Sequence, residues 1–262
     1  MKIALMDSGI GLLAAADAMR RLRPDADLVL SSDPDGMPWG PRTPEDLTER
    51  ALMVARAAAA HRPDALIVAC NTATVHALPA LRAELEPAIP VIGTVPAIKP
   101  ASAAGGRVAI WATPATTGSP YQRGLIRDFA GGVHVTEVPC PGLADAVEAA
   151  DQEAVARAVS AAAALTPADI TDLVLGCTHY ELVADTIRTA LALRGATAAE
   201  AVFHGSAEPV ALQALRRIGA HPEPELPRTG GLTVLACGRE AELPPAALTY
   251  PEGQALAGVP VR

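Results

Sequence analysis

Aromatic side chains are scarce in this 262-residue chain, which holds two Trp, three Tyr and two Phe. That scarcity removes the stacking platforms on which single-stranded nucleic acids are held. Positive charge is neither abundant nor clustered. With 21 Lys and Arg against 29 Asp and Glu the formal charge is −8, and without a run of cations nothing neutralises a phosphate backbone, so no nucleic-acid partner is expected. Long apolar runs are missing too. The Ala-rich stretch from Ala51 to Ala60 is broken by Arg56 and falls short of the roughly 20 residues a bilayer requires, so no membrane partner is expected either. The first residues, Met1 to Met6, reach Asp7 without a basic region or a long apolar segment, which speaks against a secretory signal. Close cysteine pairs are absent. The four cysteines stand at positions 70, 140, 177 and 237, a spacing that fits reduced thiols in a cytoplasmic chain better than a disulfide framework. Apart from Cys177-x-His179 no short-range ligand pair occurs, so no metal is expected. No GxxxxGK[ST] string appears, and nucleotide hydrolysis is unsupported.

What the chain does have is alternation. Short apolar runs recur at Lys2–Met6, Asp27–Leu30, Ala65–Ala69, Val91–Thr94, Arg107–Ala112, Val133–Val138, Leu173–Leu175, Ala201–Phe203 and Leu232–Ala236. Between them lie segments with helix formers at helical spacing, among them Leu12–Leu22, Pro44–Ala60, Val75–Leu85, Gln122–Phe129, Leu182–Leu193 and Pro209–Ile218. Strand followed by helix, repeatedly, predicts an α/β fold with parallel sheets buried on both faces. The length suits two modest domains or one large one. Thr43, Pro44, Glu45 and Asp46 together mark a helix start: a capping oxygen, a proline at the first helical position, and acids at the positive end. The Pro- and Gly-bearing tail from Leu243 to Arg262 reads as irregular.

In open parallel sheets ligands bind beyond the carboxyl ends of the strands, so the residues following each apolar run carry the chemistry. Two of these exits are alike. Leu66-Ile67-Val68-Ala69 leads to Cys70-Asn71-Thr72 and a helix, and Leu173-Val174-Leu175-Gly176 leads to Cys177-Thr178-His179 and another. Each puts a thiol at a helix N-terminus, where unpaired N–H groups and the helix dipole stabilise a thiolate and bind a carboxylate. Cys140 and Cys237 lack this context and read as packing residues. The first exit, Asp7-Ser8-Gly9-Ile10-Gly11-Leu12, followed by a strand with Asp33 just past its end, has the outline of a dinucleotide fingerprint. An oxidoreductase on that pattern is the competing reading, but the Asp7 anion beside the glycine turn would repel a pyrophosphate.

The ordered set of exits resembles the aspartate/glutamate racemase family, cofactor-independent enzymes that use two cysteines. The matching stretches are Met6-Asp7-Ser8-Gly9-Ile10-Gly11, Pro38-Trp39-Gly40, Val68-Ala69-Cys70-Asn71-Thr72-Ala73, Pro96-Ala97-Ile98-Lys99-Pro100-Ala101, Thr113 with Thr116, Cys140-Pro141, and Leu175-Gly176-Cys177-Thr178-His179-Tyr180. The resemblance implies two α/β lobes related by a pseudo-twofold with the active site in the cleft between them. Lobe 1 would comprise residues 1–95 plus 205–262 and lobe 2 residues 96–204. It implies no cofactor, a homodimer, and a small acidic amino acid as partner: glutamate, interconverted between its L and D forms to supply D-glutamate for peptidoglycan. Cys70 and Cys177 would be the acid/base pair, assisted by Asp7 on one side and by His179 and Glu148 on the other. Asp7, Ser8, Trp39, Gly40, Asn71, Thr72, Thr116, Thr178 and His179 would hold the substrate.

Chemistry supports the pairing. Racemisation removes a proton from one face of the α-carbon and returns one to the other, so two groups are needed, one thiolate and one thiol in each direction. Without a pyridoxal electron sink the carbanion must be stabilised by hydrogen bonds of the site alone. Three residues depart from the family pattern: Leu12 in place of a second glycine, Trp39 in place of tyrosine, and Glu181 in place of proline. The alternatives at this point are racemisation of aspartate or another acidic amino acid, and a racemase-like scaffold that binds without turnover.

Overall fold

The computed structural model of the chain describes residues 1–258. Its strands are β1 (Lys2–Asp7), β2 (Asp27–Ser32), β3 (Ala65–Val68), β4 (Val91–Gly93), β5 (Arg107–Ala112), β6 (His134–Pro139), β7 (Asp172–Leu175), β8 (Val202–His204), β9 (Leu232–Ala236) and β10 (Arg239–Ala241). Its α-helices are α1 (Leu13–Leu22), α2 (Pro44–Ala59), α3 (Asn71–Leu85), α4 (Ile98–Ser102), α5 (Pro120–Phe129), α6 (Leu143–Glu148), α7 (Gln152–Leu165), α8 (Thr178–Glu181), α9 (Ala184–Ala192), α10 (Ala196–Ala199), α11 (Ala207–Arg217) and α12 (Pro251–Leu256). Among the described residues no helix is long and apolar enough to cross a membrane.

The chain divides into two compact units, each with its own sheet. Met1–Val95, joined by the chain from Ala207 onward, carries the order β10-β9-β2-β1-β3-β4, and Pro96–Ser206 carries β6-β5-β7-β8. Every pairing is parallel except the β9–β10 hairpin. In the first unit β1 and β3 run through the middle, and their residues from Ile3 to Met6 and from Ala65 to Val68 are buried on both faces. That double burial is why these strands read as unbroken apolar runs. Ala4, Met6, Val29, Leu66 and Val68 pack with Leu47, Ala51 and Val54 of α2 and with Ala77 and Leu81 of α3. In the second unit Val108, Ile110 and Val174 pack with Ile98 and Ala101 of α4. The Trp111 ring is fully buried and donates its indole N–H to Thr166 Oγ1 at 2.9 Å, so its one polar atom is satisfied.

Helix starts follow their chemistry. Thr43, Ser119 and Asp151 accept from the backbone N–H three residues on, and proline occupies the first turn of α2 and α5. Two expectations need correction. The helix expected from Val75 begins at Asn71, which makes Cys70 its N-cap. The helix expected over Leu182–Leu193 is present as α9, preceded by the single turn α8, and between the two Leu182 and Val183 hydrogen-bond back to His179 and Tyr180. The tail, expected as an irregular segment packing on the first lobe, is irregular only up to Tyr250: Pro251 and Glu252 open α12, which packs on α1 of the first unit, and the last four residues of that stretch lie outside the described ones.

Gly176 closes β7, and a Cβ there would lie 2.7 Å from the Trp111 carbonyl oxygen, a backbone atom that cannot swing away. Gly176→Ala should therefore cost about 1–3 kcal/mol. Thermal unfolding of the variant checks this through a Tm lowered by several degrees.

Candidate active site

Cys70 and Cys177 occupy equivalent backbone positions. Each follows a buried parallel strand as the N-cap of the next helix, with φ −144°, ψ 118° at Cys70 and φ −140°, ψ 135° at Cys177. Asn71 and Thr178 are then the first helical residues, both buried, while Thr72 is half-buried. The helices they open differ, however. α3 spans fifteen residues and carries a full macrodipole toward Cys70, whereas α8 is one turn of four residues and contributes little to Cys177.

Cys177 has other help. Its sulfur lies 3.8 Å from His179 Nδ1, and His179 Nε2 lies 3.0 Å from Glu148 Oε2 at the end of α6. His179 is buried, and a carboxylate on one imidazole nitrogen leaves the other to face the thiol. Thiol, imidazole and carboxylate thus form one chain of proton-carrying groups. On the other unit Asp7 is the last residue of β1, wholly buried, and Ser8 donates its N–H to Asp7 Oδ1 at 2.6 Å. Because Met6 pairs with Val68 across β1 and β3, Asp7 and Cys70 leave the same edge of one sheet. Thr116 sits in the loop after β5, its Oγ1 accepting from Thr113 Oγ1 at 3.2 Å.

Trp39 departs from its expected part as a wall. Its ring is buried in the cluster that includes Met6 and Cys70, and its indole N–H goes to Asp33 Oδ2 at 2.9 Å, leaving Gly40 as the more exposed residue of the pair. That contact also bears on the dinucleotide reading. Asp33 is fully buried and paired with Arg50, so the acid needed to meet a ribose is already committed. Cys140 is buried as expected of a packing residue. Cys237 is not: it is half-exposed, at φ 48°, and its thiol reaches Asp33 Oδ1 at 3.5 Å.

Two groups beside Cys177 were not legible as neighbours. Burial, followed by the charge of Cys177, pushes the Cys140 thiol up to about 12. Tyr180 is raised well above the usual phenol range for the same reasons in the same order, and its hydroxyl donates to the Cys140 carbonyl at 3.4 Å. Both stay neutral at physiological pH. Among the described residues no group of three or more His, Cys, Asp or Glu is placed to hold a metal ion.

Residues 12–203 match the family model described as Asp/Glu/Hydantoin racemase. The chain belongs to that family. It is accordingly an isomerase, an amino-acid racemase. A glutamate racemase of Roseiflexus sp. (strain RS-1) is 39% identical over 191 residues, covering 71% of this chain and 70% of its own. Among solved structures, the Escherichia coli glutamate racemase in complex with L-glutamate and the activator UDP-MurNAc-Ala shares the fold, with a TM-score of 0.80 at 23% identity over 98% of this chain and 94% of its own. A glutamate racemase isoform of Bacillus anthracis gives a TM-score of 0.68 at 28% identity over 89% and 87%.

Exposure and ionisation together separate the thiols of this racemase. Iodoacetamide at pH 8 should modify the half-exposed Cys177 and leave Cys140, buried and with its pKa near 12, unmodified in the native protein. Peptide mass spectrometry before and after denaturation reads the difference.

Proposed function

We propose that this racemase interconverts L- and D-glutamate without a cofactor, with Cys70 and Cys177 as the two proton-carrying groups, and that its product is D-glutamate for cell-wall peptidoglycan. The observation that carries the reading is the repeated exit: two thiols in one backbone conformation, each at a helix start beyond a parallel strand. The relatives above, named as glutamate racemases, support the substrate.

In one direction a thiolate takes the α-proton and the electron pair spreads into the substrate carboxylate, while the opposite thiol delivers its proton to the other face. The second turnover direction exchanges these roles. A free thiol ionises near pH 8.5, so each cysteine needs a reason to ionise at neutral pH. For Cys177 the reason is His179, which accepts the thiol proton and is itself steadied by Glu148. For Cys70 it is the start of α3. Asp7, Ser8, Asn71, Thr72, Gly40, Thr116 and Thr178 hold the ammonium and carboxylates with side-chain oxygens and helix-start N–H groups, which suits an acidic amino acid in a site without arginine at the exits.

Cys70→Ser and Cys177→Ser should each lower kcat by at least on the order of 10²–10⁴. kcat/KM must fall equally in both directions, since the equilibrium constant between enantiomers is one. Chiral chromatography of L-glutamate, D-glutamate and both aspartates checks activity and substrate at once. In deuterium oxide the product enantiomer should carry solvent deuterium while unreacted substrate stays protiated early in the reaction. Early wash-in to both pools would point to one shared base, and a preference for aspartate would overturn the substrate.

A further inference from the structure

Asp33 is a fully buried carboxylate just past β2 that the proton-transfer scheme does not use. A buried carboxylate is costly unless every oxygen is matched, and here both are. Oδ2 accepts the Trp39 indole N–H at 2.9 Å and Arg50 at 3.1 Å; Oδ1 accepts the Cys237 thiol at 3.5 Å and a second, longer contact from Arg50 at 3.4 Å. Burial raises the Cys237 thiol above its ordinary range, so it remains an S–H donor at neutral pH. The Asp33 backbone N–H donates to the Ser8 carbonyl at 3.1 Å, and its carbonyl accepts from Gly36 at 3.0 Å. Glycine is required at 36, since a Cβ would lie 1.8 Å from Asp33 Oδ2.

The segments gathered by this one residue are informative. Through its backbone Asp33 holds the Asp7-Ser8 turn, and through its carboxylate it holds the Trp39-Gly40 turn, two of the stretches assigned above to substrate. The Trp39 ring it anchors shares a buried cluster with Cys70.

We propose that Asp33 is a positioning residue for racemisation, fixing the Trp39-Gly40 turn through the indole N–H and the Ser8 turn through its own backbone. The inference rests on the glutamate reading. Asp33 touches neither substrate nor proton, so its loss loosens binding more than chemistry. Trp39→Phe, which removes the N–H and keeps a buried ring, and Asp33→Asn, which keeps shape and removes the charge, should each raise KM for glutamate about fivefold, with kcat little changed. The Asp33→Asn/Trp39→Phe double variant should raise KM no further than the larger single change, because Asn weakens and Phe removes the same Asp33–Trp39 hydrogen bond.

A lowered Tm with KM unchanged in both single variants would mean a purely structural strut and would overturn the proposal, as would additive KM effects in the double variant. Should Asp33→Asn fail to fold, Trp39→Phe decides alone. Wild-type protein that does not racemise glutamate removes the functional reading and this inference with it, whereas normal wild-type turnover beside an unchanged KM in Trp39→Phe removes this inference only.

Discussion

Where a buried parallel strand hands its chain to a helix within a residue or two of leaving the sheet, the residue at that junction is held by both elements. At 70 and 177 that junction residue is a cysteine serving as N-cap. The strand behind it fixes position, the helix ahead supplies N–H groups, and neither has freedom to drift, since β1 and β3, like β5 and β7, are locked by parallel pairing. Racemisation needs placement of a base to within a fraction of an ångström rather than a large charge. On the proposed mechanism, the fold provides that placement.

The neighbours of the two thiols differ. One thiol faces the start of a fifteen-residue helix, and the other faces an imidazole backed by a carboxylate. The surroundings of the two thiols are therefore chemically unlike. Beside Cys177, burial holds Cys140 and Tyr180 in their neutral forms.

The alternation of apolar runs and helical segments carried the fold class, because β1, β3, β5 and β7 are covered on both faces and had to be apolar throughout. Caps were legible where side-chain oxygen, proline and acid coincided, as at Thr43 and Pro44. The early start of α3 was hidden because Asn71, Thr72 and Thr74 are weak helix formers whose conformation is imposed by the strand exit. The strand β10 was missed for a related reason: it is short and exposed, and its two-residue turn is Cys237-Gly238 with both φ positive, not the Asn-Gly pair that announces such turns. Of the candidate site, the two thiols were singled out by local context, while the assisting role of His179 came with the family resemblance. Glu148 came only by resemblance, and the convergence of Trp39, Arg50 and Cys237 on Asp33 joins residues up to 204 positions apart, beyond any local pattern.

The division of the chain has a consequence for its synthesis. Pro96–Ser206 is continuous, and all four strands of its sheet emerge from the ribosome in one stretch. The other unit is interrupted: β2 lacks its neighbour β9, and α1 lacks α11 and α12, until the chain beyond residue 206 has been made. The inserted unit is thus able to complete itself while the one that surrounds it in sequence still waits, exposing the flank of β2 to solvent and to chaperones during that interval.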